Sequence, residues 1–425
     1  MKKFLFLLFI FFIVSCQTQK LQKKPDGTIE PFDFISNEDL LDNQQGDKLR
    51  VALLLPLSGK GEKIGEVLLR SAQLSMFNNP LNNIILMPYD TKTMPIDAVN
   101  ALNNAIRDGA DIVIGPFSTQ ETEAMVDLAA ANNLIVLSLS DNVSLLKNKR
   151  PNLYLMGITP YQEMKKLVDY LIDDRNFYVF SALFPANVYG SQISKILNDA
   201  IKRKDAKLIK RDFYKVDDAK LKSKVDNILN FNIFRDEVYK QYEEDKPLAK
   251  LEGLKMDIEI KYVEEDKIFA DAFLIPDSGY ELVRIGRYYS DYNGKNKKPL
   301  LVGTSKWLNN NLYNNSNFNG AIFVAPNPST FLDFQNDYYE KFQSYPLRIG
   351  ALIYDAVTVV VESYAKSQDK ENIRYAIENY QGFQGINGRF RFLQTGQLER
   401  KLVIIQINNG KYEIVDYDDE PFLKY

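Results

Sequence analysis

Five hydroxyl residues sit where an open α/β sheet would present a ligand. Ser58 follows the apolar run Arg50–Pro56, Ser118 and Thr119 follow Gly115-Pro116-Phe117, and Ser138 and Ser140 close the run that begins at Leu134. Loops beyond the carboxyl ends of strands lead into helix N-termini, whose free N–H groups together with a Ser or Thr can hold a carboxylate or another anion. The same residue types are also the preferred N-caps. Sequence alone leaves both roles open, and the clustering on one sheet edge tips Ser118 and Ser138 toward lining a pocket.

Catalysis finds less support. The chain has no histidine and a single cysteine, Cys16. That removes Ser-His-Asp and Cys-His catalysis, imidazole proton shuttling and histidine zinc sites. Gly59-Lys60-Gly61 lacks the spacing of a phosphate-binding loop, and neither a nucleophile–base pair nor a metal cluster is legible. The expectation is a non-enzymatic binding protein without cofactor or metal. A net charge of −3 with 26% charged residues gives no broad basic surface for nucleic acid.

The N-terminus supplies an address. Lys2 and Lys3 precede the apolar run Phe4–Val14, which is too short to span a bilayer and ends at Ser15-Cys16. This is the pattern of a secretory signal, here residues 1–15. Its end resembles the lipobox of bacterial lipoproteins, which implies lipidation of Cys16 and anchoring at the periplasmic side of a membrane. Gln17 in place of an Asp favours the outer membrane under the sorting rules of that class. Residues 16–48 read as the lipidated cysteine and a polar tether. No other apolar run approaches the eighteen or so residues of a spanning helix.

From residue 49 onward, strands and helices alternate. The run Arg50–Pro56 is apolar throughout, as in a parallel strand buried on both faces. Glu62–Asn78 then carries Ile64, Val67, Leu68, Ala72 and Met76 at helical spacing. Strands at 84–89, 111–115 and 134–138 alternate with helices at 95–108 and 119–132. The alternation restarts at Tyr161, with strands at 177–181, 208–214, 272–276, 300–303 and 320–325. Helices fall at 161–173, 191–202, 219–230, 280–289, 331–342 and 350–366. Such alternation predicts parallel βαβ units in doubly wound sheets. Residues 231–267 are densely charged and read as an insertion. Gln394–Gln397 reads as the turn of an antiparallel hairpin between Gly388–Phe392 and Lys401–Ile407.

This arrangement resembles the type I periplasmic binding proteins, of which the leucine/isoleucine/valine-binding proteins are representative. The features that carry the likeness are Leu55–Gly59, Tyr89-Asp90, Ile106–Pro116, Asn187–Gly190, Leu352–Val357 and Gly385–Phe392. The resemblance implies two doubly wound parallel-sheet lobes joined by crossover hinges, with a C-terminal antiparallel hairpin. It places residues 49–158 plus 305–380 in lobe 1, and 159–304 plus 381–425 in lobe 2. It also implies ligand contacts from Ser118 and the loop that begins at Ser138 in lobe 1, beside the candidates Thr119 and Ser140, joined by Tyr189 and an acidic group, Glu281 or Asp277, in lobe 2. The usual Ala-Ala-Thr is Ser140-Asp141-Asn142 here, which would crowd and charge the cleft.

Within the superfamily the chain is similar to the lipoprotein branch of penicillin-binding protein activators, through Val51–Gly59, Leu301–Thr304 with Trp307, and Phe383–Phe392. That likeness implies contact with a peptidoglycan synthase. The alternative is a solute-binding lipoprotein that passes an amino acid or similar small polar ligand to an ABC transporter.

Overall fold

The run that opens the folded body forms β1 (Leu49–Leu55), buried at every residue but Arg50. Strands β2 (Ile84–Asp90), β3 (Ile112–Ile114), β4 (Ile135–Ser138) and β5 (Leu153–Leu155) join it in the order β2-β1-β3-β4-β5, all parallel. Helices α1 (Glu62–Asn78), α2 (Pro95–Arg107) and α3 (Thr119–Ala131) make the crossovers. These coordinates are a computed structural model that describes residues 48–422, apart from 231–268 and short gaps at 80, 82, 149, 151, 294–296, 311, 368 and 419–420. The expected leader, Cys16, the tether and the charged insertion lie outside the described residues.

The second half repeats the plan. Strands β6 (Val179–Pro185), β7 (Lys207–Tyr214), β8 (Ala272–Leu274), β9 (Leu300–Gly303) and β10 (Ile322–Ala325) run parallel in the order β7-β6-β8-β9-β10. This is the order of the first sheet shifted along the chain. Helices α4 (Pro160–Asp169), α5 (Val188–Lys202), α6 (Leu221–Asn230) and α7 (Gly279–Ser290) cover it. In both halves a glycine in the helix that follows the first strand of the chain in that half lets backbone meet backbone. A Cβ on Gly65 of α1 would lie 2.1 Å from the Pro56 carbonyl oxygen, and one on Gly190 of α5 would lie 1.9 Å from that of Pro185. Only a residue without a side chain permits that approach.

The last hundred residues are shared between the halves. Helices α8 (Pro328–Phe342), α9 (Gly350–Ser367) and α10 (Ile373–Ile377) return to the first half, where Ile353, Val357 and Val360 join the core built on β1. Strands β11 (Phe383–Gly385), β12 (Gly388–Phe392) and β13 (Leu398–Arg400) form a small antiparallel sheet on that same core, through Phe383, Phe390, Phe392 and Leu398. Strands β14 (Val403–Asn408) and β15 (Lys411–Asp416) then cross back, β14 pairing antiparallel with β10.

Element positions follow the expected ones closely, and three assignments change. Residues 305–325, expected in lobe 1, belong with the second sheet because β10 pairs with β9 and β14. Residues 381–400, expected in lobe 2, pack on the first core because their aromatic faces fill it. The hairpin around Gln394–Gln397 closes onto β13, while the 401–407 run leaves it for the other sheet. The chain thus passes between the halves at 156–159, 326–327 and 401–402. No helix among the described residues is long and apolar enough to cross a membrane.

Candidate functional site

Both parallel sheets aim their carboxyl ends at a common cleft of about 570 Å³. The loop after β3 contributes Phe117, Ser118 and Thr119; that after β4, Leu139, Ser140 and Asp141; and the crossover after β5, Gly157 and Ile158. From the second half come Ser305 and Lys306 after β9, and Pro326 after β10. Arg348, Ile349 and Leu352 at the start of α9, with Asn387 in the β11–β12 turn, complete the wall. A ligand site outside the carboxyl ends of parallel strands is the expected place in open α/β sheets.

The hydroxyls serve both roles the sequence left open. Ser118 caps α3: its Oγ accepts the Glu121 N–H at 3.2 Å and donates to Glu121 Oε2 at 2.6 Å. It also lines the cleft. Thr119 Oγ1 and Ser140 Oγ lie 2.9 Å apart, which ties the two first-half loops together at the cleft wall. Ser138 is fully buried, 2.8 Å from Thr122 Oγ1, and stands behind that wall. Ser58 turns to Asp90, donating to its Oδ2 at 2.5 Å, while the Leu57 and Ser58 N–H groups donate to Oδ1. That carboxylate ties the β1–α1 loop to the end of β2.

The second-half candidates divide. Glu281 is engaged by Arg284 at 3.0 Å and accepts the Asp217 N–H at 2.9 Å. Asp277 accepts the Tyr214 hydroxyl and the Ser278 N–H. Neither is among the cleft-lining residues. Tyr189 stands near the cleft, its ring under Lys306 with Nζ 4.3 Å from the centroid. Its buried hydroxyl has no hydrogen-bond partner among the described residues, and burial pushes its pKa well above the ordinary phenol range.

Four charged groups decide the electrostatics, of which sequence reasoning singled out only Asp141, as a residue that would charge the cleft. Lys306 is held by its neighbour Trp307, which is buried over Gly303 and donates Nε1–H to the Ile275 carbonyl at 3.0 Å. Around Lys306 stand two carboxyls. Asp141 is pushed upward by burial, with Lys306 drawing it back down. Glu163, on α4, accepts the Ser305 N–H at 2.8 Å; burial pushes it up to about 7, against the lowering pull of Ser305 and Lys306. Gly157 makes room for Asp141, since a Cβ there would lie 2.6 Å from the Asp141 Cα. The fourth group is Arg348, half-buried, its guanidinium carbon 4.0 Å above the centre of the Phe331 ring. Desolvation pushes it down to about 10. The rule that drew attention to the loops after β3 and β4 would also have found Ser305 and Lys306 after β9. Arg348 and Glu163 lie outside that rule.

A bilobal frame with three interlobe crossovers and a cleft at the facing sheet ends defines a class, and the chain has the type I periplasmic-binding-protein fold. Residues 48–232 match the family described as Periplasmic binding protein. A putative branched-chain amino acid ABC transporter protein from Rhodospirillum rubrum superposes with a TM-score of 0.66 at 14% identity, covering 87% of this chain and 100% of that one. The branched-chain amino acid substrate-binding protein of Streptococcus pneumoniae, solved with isoleucine, superposes with a TM-score of 0.54 at 17% identity, covering 87% and 99%. An uncharacterised protein of Rickettsia prowazekii is 22% identical over 193 residues, 45% of this chain. The match spans half the length of that curated relative.

Proposed function

We propose that this chain is an exported, lipid-anchored binding protein that captures a small polar ligand between its lobes and performs no chemistry on it. The observation that carries this reading is the cleft itself, about 570 Å³ in volume and lined from both halves. Hydroxyls and cations line it together with apolar side chains. Such a mixture of apolar lining and few convergent polar groups is what small-molecule sites present. The isoleucine-bound relative in Streptococcus pneumoniae has the same fold and supports the reading by analogy. Anchoring at Cys16 rests on the leader-like run before it.

The test is thermal unfolding of the purified protein against amino acids and small organic acids. A ligand at a hundred times its dissociation constant stabilises by about 2.7 kcal/mol, a shift easily read in Tm. Absence of any shift across the panel would sink the reading.

A second reading, contact with a peptidoglycan synthase, is favoured by the likeness carried in Val51–Gly59 and Phe383–Phe392 and by Asp141, which charges part of the cleft. Failure of the purified protein to bind any peptidoglycan synthase would count against it.

A further inference from the structure

The charges of the cleft wall are unequal. The wall carries Lys306, Arg348 and Asp141, two cations and one carboxylate among the described lining residues. Lys306 is accounted for locally. Its Nζ sits over Tyr189, and the carboxyls of Asp141 and Glu163 are the acids whose ionisation it favours. Arg348 has no such acid: no ion pair to it is found among the described residues, and its buried Nη1 has no hydrogen-bond partner there. The guanidinium rests on the Phe331 ring, and cation–π attraction offsets only part of a desolvation cost. Arg remains charged under all ordinary conditions and binds carboxylates through two parallel N–H donors, so a desolvated, unpaired guanidinium on a cavity wall is suited to an anion.

The remainder of the wall selects the other end of the ligand. Phe117, Leu139, Ile158, Ile349 and Leu352 present hydrocarbon. The carboxylate that could receive an incoming ammonium, Asp141, already has a chain ammonium beside it in Lys306. A ligand that carried its own ammonium there would place two cations together.

We infer that the cleft is built for an organic anion with an apolar body and no ammonium group, its carboxylate anchored by Arg348. The inference rests on the ligand-binding reading and sharpens its substrate class. The experiment is isothermal titration of the whole protein with 3-methyl-2-oxopentanoate, with benzoate and with isoleucine, alongside the variants Arg348→Met and Arg348→Lys. The oxoacid is expected to bind at least tenfold more tightly than isoleucine. Arg348→Met is expected to lower that affinity at least tenfold and Arg348→Lys less, since Lys keeps the charge and loses the fork. Tighter binding of isoleucine, or oxoacid binding unchanged in both variants, would overturn the inference and leave the ligand-binding reading standing. If neither acid, nor isoleucine, nor any other amino acid binds, both fall together. Should Arg348→Met not fold, the Lys variant and the wild-type ligand comparison still decide.

Discussion

At the scale of single residues, the buried acids report the energetics most directly. Glu163 is 4% exposed and its pKa stands at about 7, against an ordinary 4.5. The folded state therefore holds the proton more tightly than the unfolded chain does. Its contribution to stability is full below about pH 4.5 and is lost as pH rises toward and through 7. The shift corresponds to roughly 3 kcal/mol as an upper bound. Glu163→Gln keeps an oxygen to accept the Ser305 N–H and removes the titration. Tm measured from pH 4.5 to 8 should fall less steeply across that window in the variant than in the wild type, and parallel curves would refute the assignment.

A second buried acid, Asp355, is paired. Arg400 Nη1 lies 3.3 Å from Asp355 Oδ2, both side chains fully buried, where the small sheet meets α9. Asp355 also accepts the Ile386 N–H at 2.6 Å, and Arg400 stacks over Phe390 at 4.5 Å. Removing one member leaves a buried charge unpaired, which typically costs about 3–5 kcal/mol. Arg400→Met should therefore lower stability in urea by that order, and a change under 1 kcal/mol would mean the pair is dispensable.

At the scale of elements, both halves depend on the same device, a helix that starts against the carboxyl end of the first strand of its lobe. Gly65 and Gly190 make that approach possible, and in each case the atom met by an added Cβ is a backbone oxygen. Neither strand can yield without disturbing its ladder, so Gly65→Ala and Gly190→Ala should each cost about 1–3 kcal/mol by overpacking. Urea midpoints check this, and unchanged midpoints would show that the helix starts can slide.

Elements were legible wherever a run was long enough to show its period: β1, α1 and α9 fall within a residue or two of their expected bounds. The strand β5 was not seen: it is three residues long like β3 and β8, but it follows the polar stretch Lys147–Asn152 rather than sitting in an apolar run between helical patterns. What sequence could not assign was pairing. Residues 403–408 alternate like half of a hairpin and form one, but with β15 rather than with β12, and their other partner is β10, about eighty residues earlier. The site was legible in the same measure. Ser118, Thr119 and Ser140 were reached through the rule of strand ends, and all three line the cleft. Arg348 enters from the approach to α9 and Glu163 from the first turn of α4, so only the assembled lobes show them near it.

At the scale of the whole molecule, the interleaved chain raises the question of whether one half stands without the other. The core on β1 draws on residues 49–156 and 353–398, with Ile349 and Leu352 packed at its edge. The second core of that half draws on 52–155. Nothing after Leu398 enters either. The second half differs: Val403, Ile405 and Ile407 of β14 share a core with Trp307, Phe318 and Phe323. A chain ending at Lys401 would therefore keep every core residue of the first half and strip the second of an inner strand. Trp307 is the chain's sole tryptophan and lies fully buried in the damaged half, so its emission isolates that half from the rest. In the truncated protein, Trp307 emission should shift to the red as water reaches the indole, while far-UV circular dichroism retains a cooperative urea transition from the first half. The loss of Phe422, which packs under Arg391 at 4.7 Å, should lower that transition only modestly, since a cation–π contact contributes about 1 kcal/mol. A truncated chain without any cooperative transition would show instead that the halves fold as one unit, with the crossings acting as load paths between the lobes.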